Sequence, residues 1–202
     1  MTGFDLVFAL FGLLLGLAVA EVLSGFIRTI KVRKKVRIGL LTPLLGALVI
    51  LDQTTLWMVA FDLRDAVPLT YLTLVIVLAM VGGYYLLSTL IFPDDPAECP
   101  DFDDHYHANN RIVLSGVLLI NLVQFAITLL LATPAATRAE SAAGRAEVAA
   151  LERGTTGVGG PLFLIEMALL VVLILVKDRR ANLVLLSLLI GLNLGAALVA
   201  IL

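Results

Sequence analysis

An all-α bundle of six transmembrane helices is the fold class that this sequence predicts, and three observations carry the prediction. Of 202 residues, 60% are hydrophobic and 15% charged, with a mean hydropathy of +1.05; soluble domains sit nearer about 45–50% apolar and about 25% charged. The charges are also clustered, which leaves long uncharged runs. Six of these runs, approximately 4–27, 39–61, 67–92, 112–133, 161–176 and 182–202, suit the ~20 residues of helix that a hydrocarbon core of ~30 Å requires. So little chain remains between them that residues 1–202 are expected to form one polytopic membrane domain, its core made of helix against helix.

Span one is expected to be a retained helix. Ala18-Val19-Ala20 resembles a cleavage site, but Met1 to Phe11 carries Asp5 and no Lys or Arg, so the basic start of a signal peptide is missing. Gly12, Gly16, Ala20 and Ser24 recur every four residues, a small-residue ladder that lets a neighbouring backbone approach. Span two contains Asp52 beside Gln53, Thr54 and Thr55. Span three contains Gly82 and Gly83, expected to mark close packing, with Tyr84 and Tyr85 toward the cytoplasmic half. The run Val81-Gly82-Gly83-Tyr84 has a passing likeness to a potassium filter, but it lies inside an unbroken apolar span and not in a pore-lining loop.

Pro93, Pro96 and Pro100 keep the next connection non-helical. Asp101, Asp103 and Asp104 then suit the first turn of a helix, so span four is expected to start near residue 101, with Phe102 and Tyr106 as interfacial anchors. In the connection 134–160, Thr137 and Glu140 have capping-box spacing for an Ala-rich helix to about Arg153, followed by Gly154, Gly157, Gly159 and Gly160. Span five starts at Pro161, which suits a first turn, and is short, about 24 Å. Span six carries its own ladder, Ser187, Gly191 and Gly195. Both ladders are expected to serve contacts within the bundle ahead of contacts between subunits.

Orientation follows from the basic residues. Arg28, Lys31, Arg33, Lys34, Lys35 and Arg37 fill the first connection, Lys177, Arg179 and Arg180 the last, and Arg111 precedes span four. With these on the cytoplasmic side, ten of the fourteen Lys and Arg lie inside, and Arg64, Arg138, Arg145 and Arg153 lie outside. The positive-inside rule then places both termini outside, in the periplasm for a multi-pass inner-membrane protein.

The informative residues are acids inside the spans, each costing about 2.5–3.5 kcal/mol at a helix centre on insertion scales. Asp52, Glu21 and Glu166 qualify, and no Lys, Arg or His lies well inside a span to neutralise them. Asn121, Gln124 and Asn193 are the polar groups placed to accompany them. Burial opposes the charged form of an acid, so a proton or cation is its natural companion. The alternative is that each acid is protonated and hydrogen-bonds helices together. Glu21 lies two turns from Arg28 and is expected to reach toward it.

The acidic connection holds Asp101, Asp103, Asp104, His105 and His107, all chemically able to bind a metal. On a helix, however, His105 and His107 point about 200° apart, and no Cys-x-x-Cys or H-E-x-x-H accompanies them. An aspartate-rich loop beside membrane helices resembles prenyl-transferring enzymes, which hold a pyrophosphate through magnesium. That resemblance implies two N-D-x-x-D clusters, and one irregular run is present. A solvated acidic loop, partly paired with the basic first connection, is the expectation, with no metal.

Function follows by elimination. A net charge of −2 gives no reason to expect nucleic acid, and the single Cys99 allows no internal disulfide. Both histidines lie in one connection, so haem between helices is not expected; Ser24 and Ser88 lack a basic partner for protease chemistry. No cofactor is expected. The leading expectation is a non-enzymatic proton- or cation-handling protein using Asp52, with Glu21, Asn121, Gln124 and Glu166 as polar lining. An accessory subunit of a larger membrane complex or homo-oligomer comes second, and a lipid-active enzyme using the acidic loop third. Beyond the lipid bilayer, no partner is specified.

Overall fold

The computed structural model describes residues 3–63, 67, 70–95, 99, 101–137 and 161–201. They form six helices, α1 (Gly3–Val32), α2 (Leu41–Asp62), α3 (Tyr71–Ile91), α4 (Phe102–Thr137), α5 (Pro161–Leu175) and α6 (Arg179–Ile201). Five of these, α1 to α4 and α6, are long and apolar enough to cross a membrane. The fold is therefore that of a polytopic helical membrane protein. At 15 residues, α5 rises only about 22 Å, less than a full crossing. Its run is cut short by Lys177 and Asp178 on one side and the glycine-rich stretch on the other. The Ala-rich helix expected between Thr137 and Arg153 lies outside the described residues except for Thr137, which ends α4.

Local chemistry sets the helix ends. Thr70 caps α3 by accepting from the Thr73 N–H at 3.2 Å, the usual service of a Thr at this position. α3 stops where Phe92, extended at φ −109° and ψ 146°, precedes Pro93; a following proline disfavours the helical conformation. Asp101 caps α4 through the Asp103 N–H at 2.8 Å, and Asp178 caps α6 through the Ala181 N–H at 2.9 Å. α4 thus begins at the expected acidic turn and runs for 36 residues.

α2 occupies the centre, packed on α1, α3, α4 and α6. α1 lies along α3, α3 along α4, α4 along α5 and α5 along α6. Ion pairs of Arg37 with Asp101 and Arg179 with Asp103 gather the starts of α2, α4 and α6 at one end of the bundle, here called the arginine end. The helices alternate in direction, so α5 begins at the opposite end.

Several sequence expectations need correction. Phe102 and Tyr106 are not interfacial anchors: both are fully buried, and the Tyr106 hydroxyl donates to Asn182 Oδ1 at 2.8 Å. Among the described residues the span-six ladder packs against no neighbouring helix, since a Cβ on Gly191 or Gly195 meets none of them within 4 Å. In α1 the close approaches fall at Gly12, against Trp57, and at Gly25, outside the ladder, where a Cβ would collide with the Phe92 ring. Gly82 likewise faces open space, although Gly83 touches Ile120. Spacing identifies small residues on one face, but only the neighbouring helix decides whether that face is covered.

Candidate functional site: the buried acids of the bundle

Asp52 sits near the middle of α2, the helix with the most neighbours, and draws partners from two others. The Tyr84 hydroxyl of α3 donates to its Oδ2. Asn121 of α4 donates through Nδ2 to Oδ1 at 3.0 Å and Oδ2 at 3.2 Å, and to its own helix at Val117 O, 3.0 Å. Tyr84 and Asn121 are buried. Both carboxylate oxygens therefore accept hydrogen bonds, a pattern that orients the side chain tightly.

The remaining side of Asp52 faces a cavity of about 10 Å³, lined by Leu48, Val117, Glu166, Met167, Leu170, Leu189 and Asn193 as well as Asp52. That is about the space one water needs. Three helices thus deliver polar groups to one spot: Asp52 from α2, half-buried Glu166 from α5 and Asn193 from α6. Asn193 donates Nδ2 to Leu189 O at 3.1 Å, which leaves its Oδ1 as an acceptor. The basic side chains described all lie at the arginine end, so the two acids have no cationic neighbour at this level.

The other sequence candidates divide. Gln124, one turn beyond Asn121, is buried, and its Nε2 finds no partner among the described residues; it is not among the residues that line the cavity. Glu21 stands apart, paired with Arg28 at 3.0 Å on a partly exposed face of α1. Gln53 turns to Ser88, donating at 3.2 Å. Thr54 and Thr55 bond their own helix, at Ile50 O and Leu51 O.

Tyr84 is the residue that sequence reasoning missed. The sequence places it, with Tyr85, only toward the cytoplasmic half of span three, yet a phenol inside an apolar span carries one hydroxyl that needs a partner. The nearest unneutralised acids were the available signal.

The acidic connection is more structured than a solvated loop. Asp101 pairs with Arg37 at 3.7 Å. Asp103 is 4% exposed, pairs with Arg179 and lies so close to Gly39 that a Cβ there would overlap its carboxylate. Arg37 belongs to the expected basic connection; Arg179, from the other one, was not anticipated. His105 reaches Leu90 O at 3.3 Å, while exposed His107 stands edge-on to Tyr106 with ring centres 5.3 Å apart. Among the described residues, no three His, Cys, Asp or Glu side chains are grouped as metal ligands. Compared with protein-family models, with curated proteins and with solved structures, the chain matches none.

Proposed function

We propose that this chain is a non-enzymatic inner-membrane protein that takes up and releases a proton or small cation at Asp52 and Glu166. The supporting observation is the convergence of these two acids and the Asn193 amide on one water-sized cavity, with no basic residue among the described ones that line it. Two carboxyl groups facing one small cavity in low dielectric disfavour double ionisation, so one proton or cation between them relieves the repulsion. Tyr84 and Asn121 hold Asp52 in place whichever partner occupies the cavity. In the proposed topology the arginine end is cytoplasmic and both termini are periplasmic, following the distribution of basic residues.

The test is flux in liposomes. Wild-type protein should dissipate an imposed proton or alkali-cation gradient faster than protein-free vesicles. Asp52→Asn, which keeps the shape and one accepting oxygen but not the titration, should insert normally and lose that flux. A wild-type rate equal to that of empty vesicles, or full flux in Asp52→Asn, overturns the proposal.

A second reading, an accessory subunit or homo-oligomer, is favoured by one observation: Gly191 and Gly195 present a small-residue face that nothing among the described residues covers. It predicts cross-linking of Gly195→Cys to a second polypeptide together with an absence of flux. No observation favours the lipid-active enzyme, since Asp101 and Asp103, on which it depends, are engaged by Arg37 and Arg179.

A further inference from the structure

The connection between α1 and α2 carries more positive charge than the bundle uses. Lys31 stands in the last turn of α1, and Arg33, Lys34 and Lys35 follow in a tight turn closed by the Lys35 and Val36 N–H groups on Val32 O, at 2.8 and 3.2 Å. All four side chains are exposed. The neighbouring cations are already committed: Arg28 turns back to Glu21, Arg37 pairs with Asp101, and Arg179 pairs with Asp103. Lys31, Arg33, Lys34 and Lys35 form no ion pair among the described residues. The acidic connection therefore neutralises the arginines that flank this turn and leaves the turn itself strongly positive.

The depth of the four cations follows from the helix beneath them. Leu23, Ile27 and Ile30 are large apolar side chains exposed on one face of α1, at helical spacings of four and three. Lys31 lies one turn past Ile27, about 6 Å along the axis. Leu40, 61% exposed, brings the same apolar surface to the start of α2. Side chains of this kind belong against acyl chains, so the cations begin where the hydrocarbon ends. From there their aliphatic stems can follow the apolar surface while the charged heads reach the phosphate level.

We propose that this turn is a binding surface for anionic phospholipid headgroups of the leaflet at the arginine end, with Lys31, Arg33, Lys34 and Lys35 engaging the phosphates. The occupant is a lipid and not a dissolved anion, because the apolar column offers acyl chains a contact directly below the cations. A basic cluster at the end of a membrane helix attracts an anionic leaflet, and the attraction fades within a Debye length. The surface depends neither on Asp52 and Glu166 nor on which side of the membrane the arginine end occupies.

Fluorescence quenching by brominated lipids tests this. Trp57 is the single tryptophan, so in a Trp57→Phe background Leu40→Trp sets the sole indole beside the turn. Leu72→Trp, exposed at the start of α3, sets it at the opposite end. Each protein is reconstituted with brominated phosphatidylglycerol or brominated phosphatidylcholine. At Leu40→Trp the anionic lipid should bind about fivefold more tightly, the ratio that one such cation confers on a headgroup; at Leu72→Trp the two lipids should bind equally. The preference should vanish when Lys31, Arg33, Lys34 and Lys35 are all replaced by Gln, and also at about 1 M salt, where screening acts within ~3 Å. Equal binding at Leu40→Trp, an equal preference at Leu72→Trp, or a preference that survives the four substitutions overturns the proposal. The salt arm needs no charge variant, and a preference unchanged by salt overturns the proposal by itself. Loss of the preference to inorganic phosphate at constant ionic strength would identify a site for a dissolved anion, and overturns the lipid assignment too.

Discussion

Replacing Asp52 with leucine removes the acceptors of two helices at once, and the structure sets the expected cost. The Tyr84 hydroxyl, on a side chain 1% exposed, loses the Asp52 oxygen to which it donates. Asn121 loses Asp52 but keeps its bond to Val117 O. An orphaned buried donor costs about 1–3 kcal/mol, while interhelical hydrogen bonds measured in bilayer proteins average about 0.6 and reach about 1.7 kcal/mol. One full orphan and one partial orphan therefore give about 2 kcal/mol for Asp52→Leu. Asp52→Asn retains an acceptor and should stay within about 1 kcal/mol of wild type. The decisive measurement is the cycle with Tyr84→Phe, followed as helicity through unfolding in mixed micelles. The phenylalanine removes the stranded hydroxyl, so the double variant should be more stable than the two single changes predict by about 1 kcal/mol. Additivity within about 0.3–0.5 kcal/mol would mean that the Tyr84–Asp52 bond contributes nothing, and the assembly of the site would need another explanation.

Three further outcomes are expected. Gly39→Ala drives a methyl group into the Asp103 carboxylate and should destabilise the arginine end by about 1–3 kcal/mol, read as faster hydrogen exchange at the start of α4; unchanged exchange would show that the connection simply moves aside. Burial pushes the Cys99 thiol up, so its reactive thiolate is scarcer at any given pH than that of a free thiol. Alkylation should therefore lag behind a free-thiol peptide near neutrality and catch up as the pH rises; a rate matching the peptide throughout would contradict this. Reporters fused after Leu202 and within the 134–160 connection should both behave as periplasmic, and a cytoplasmic signal from either would reverse the charge-based orientation.

The sequence by itself determined the helices and many of their ends. Apolar runs between charge clusters are local properties, as are the acidic turn at Asp101 that opens α4 and Pro93 as a stop. It also marked Asp52 and Glu166, because an acid without a counter-charge is conspicuous in any apolar run. What it left open was which faces meet, because that depends on how each helix is rotated and which neighbour it receives. Tertiary structure alone placed α2 at the centre and brought Tyr84 and Asn121 onto Asp52. It also separated Glu21 from the other acids, buried Phe102 and Tyr106, and left the Gly191–Gly195 face uncovered by the described residues. Asp103 shows the reason most directly. By composition it is one acid in a polar connection, yet Arg179, 76 residues further along the sequence, and the bare backbone of Gly39 together determine where it sits.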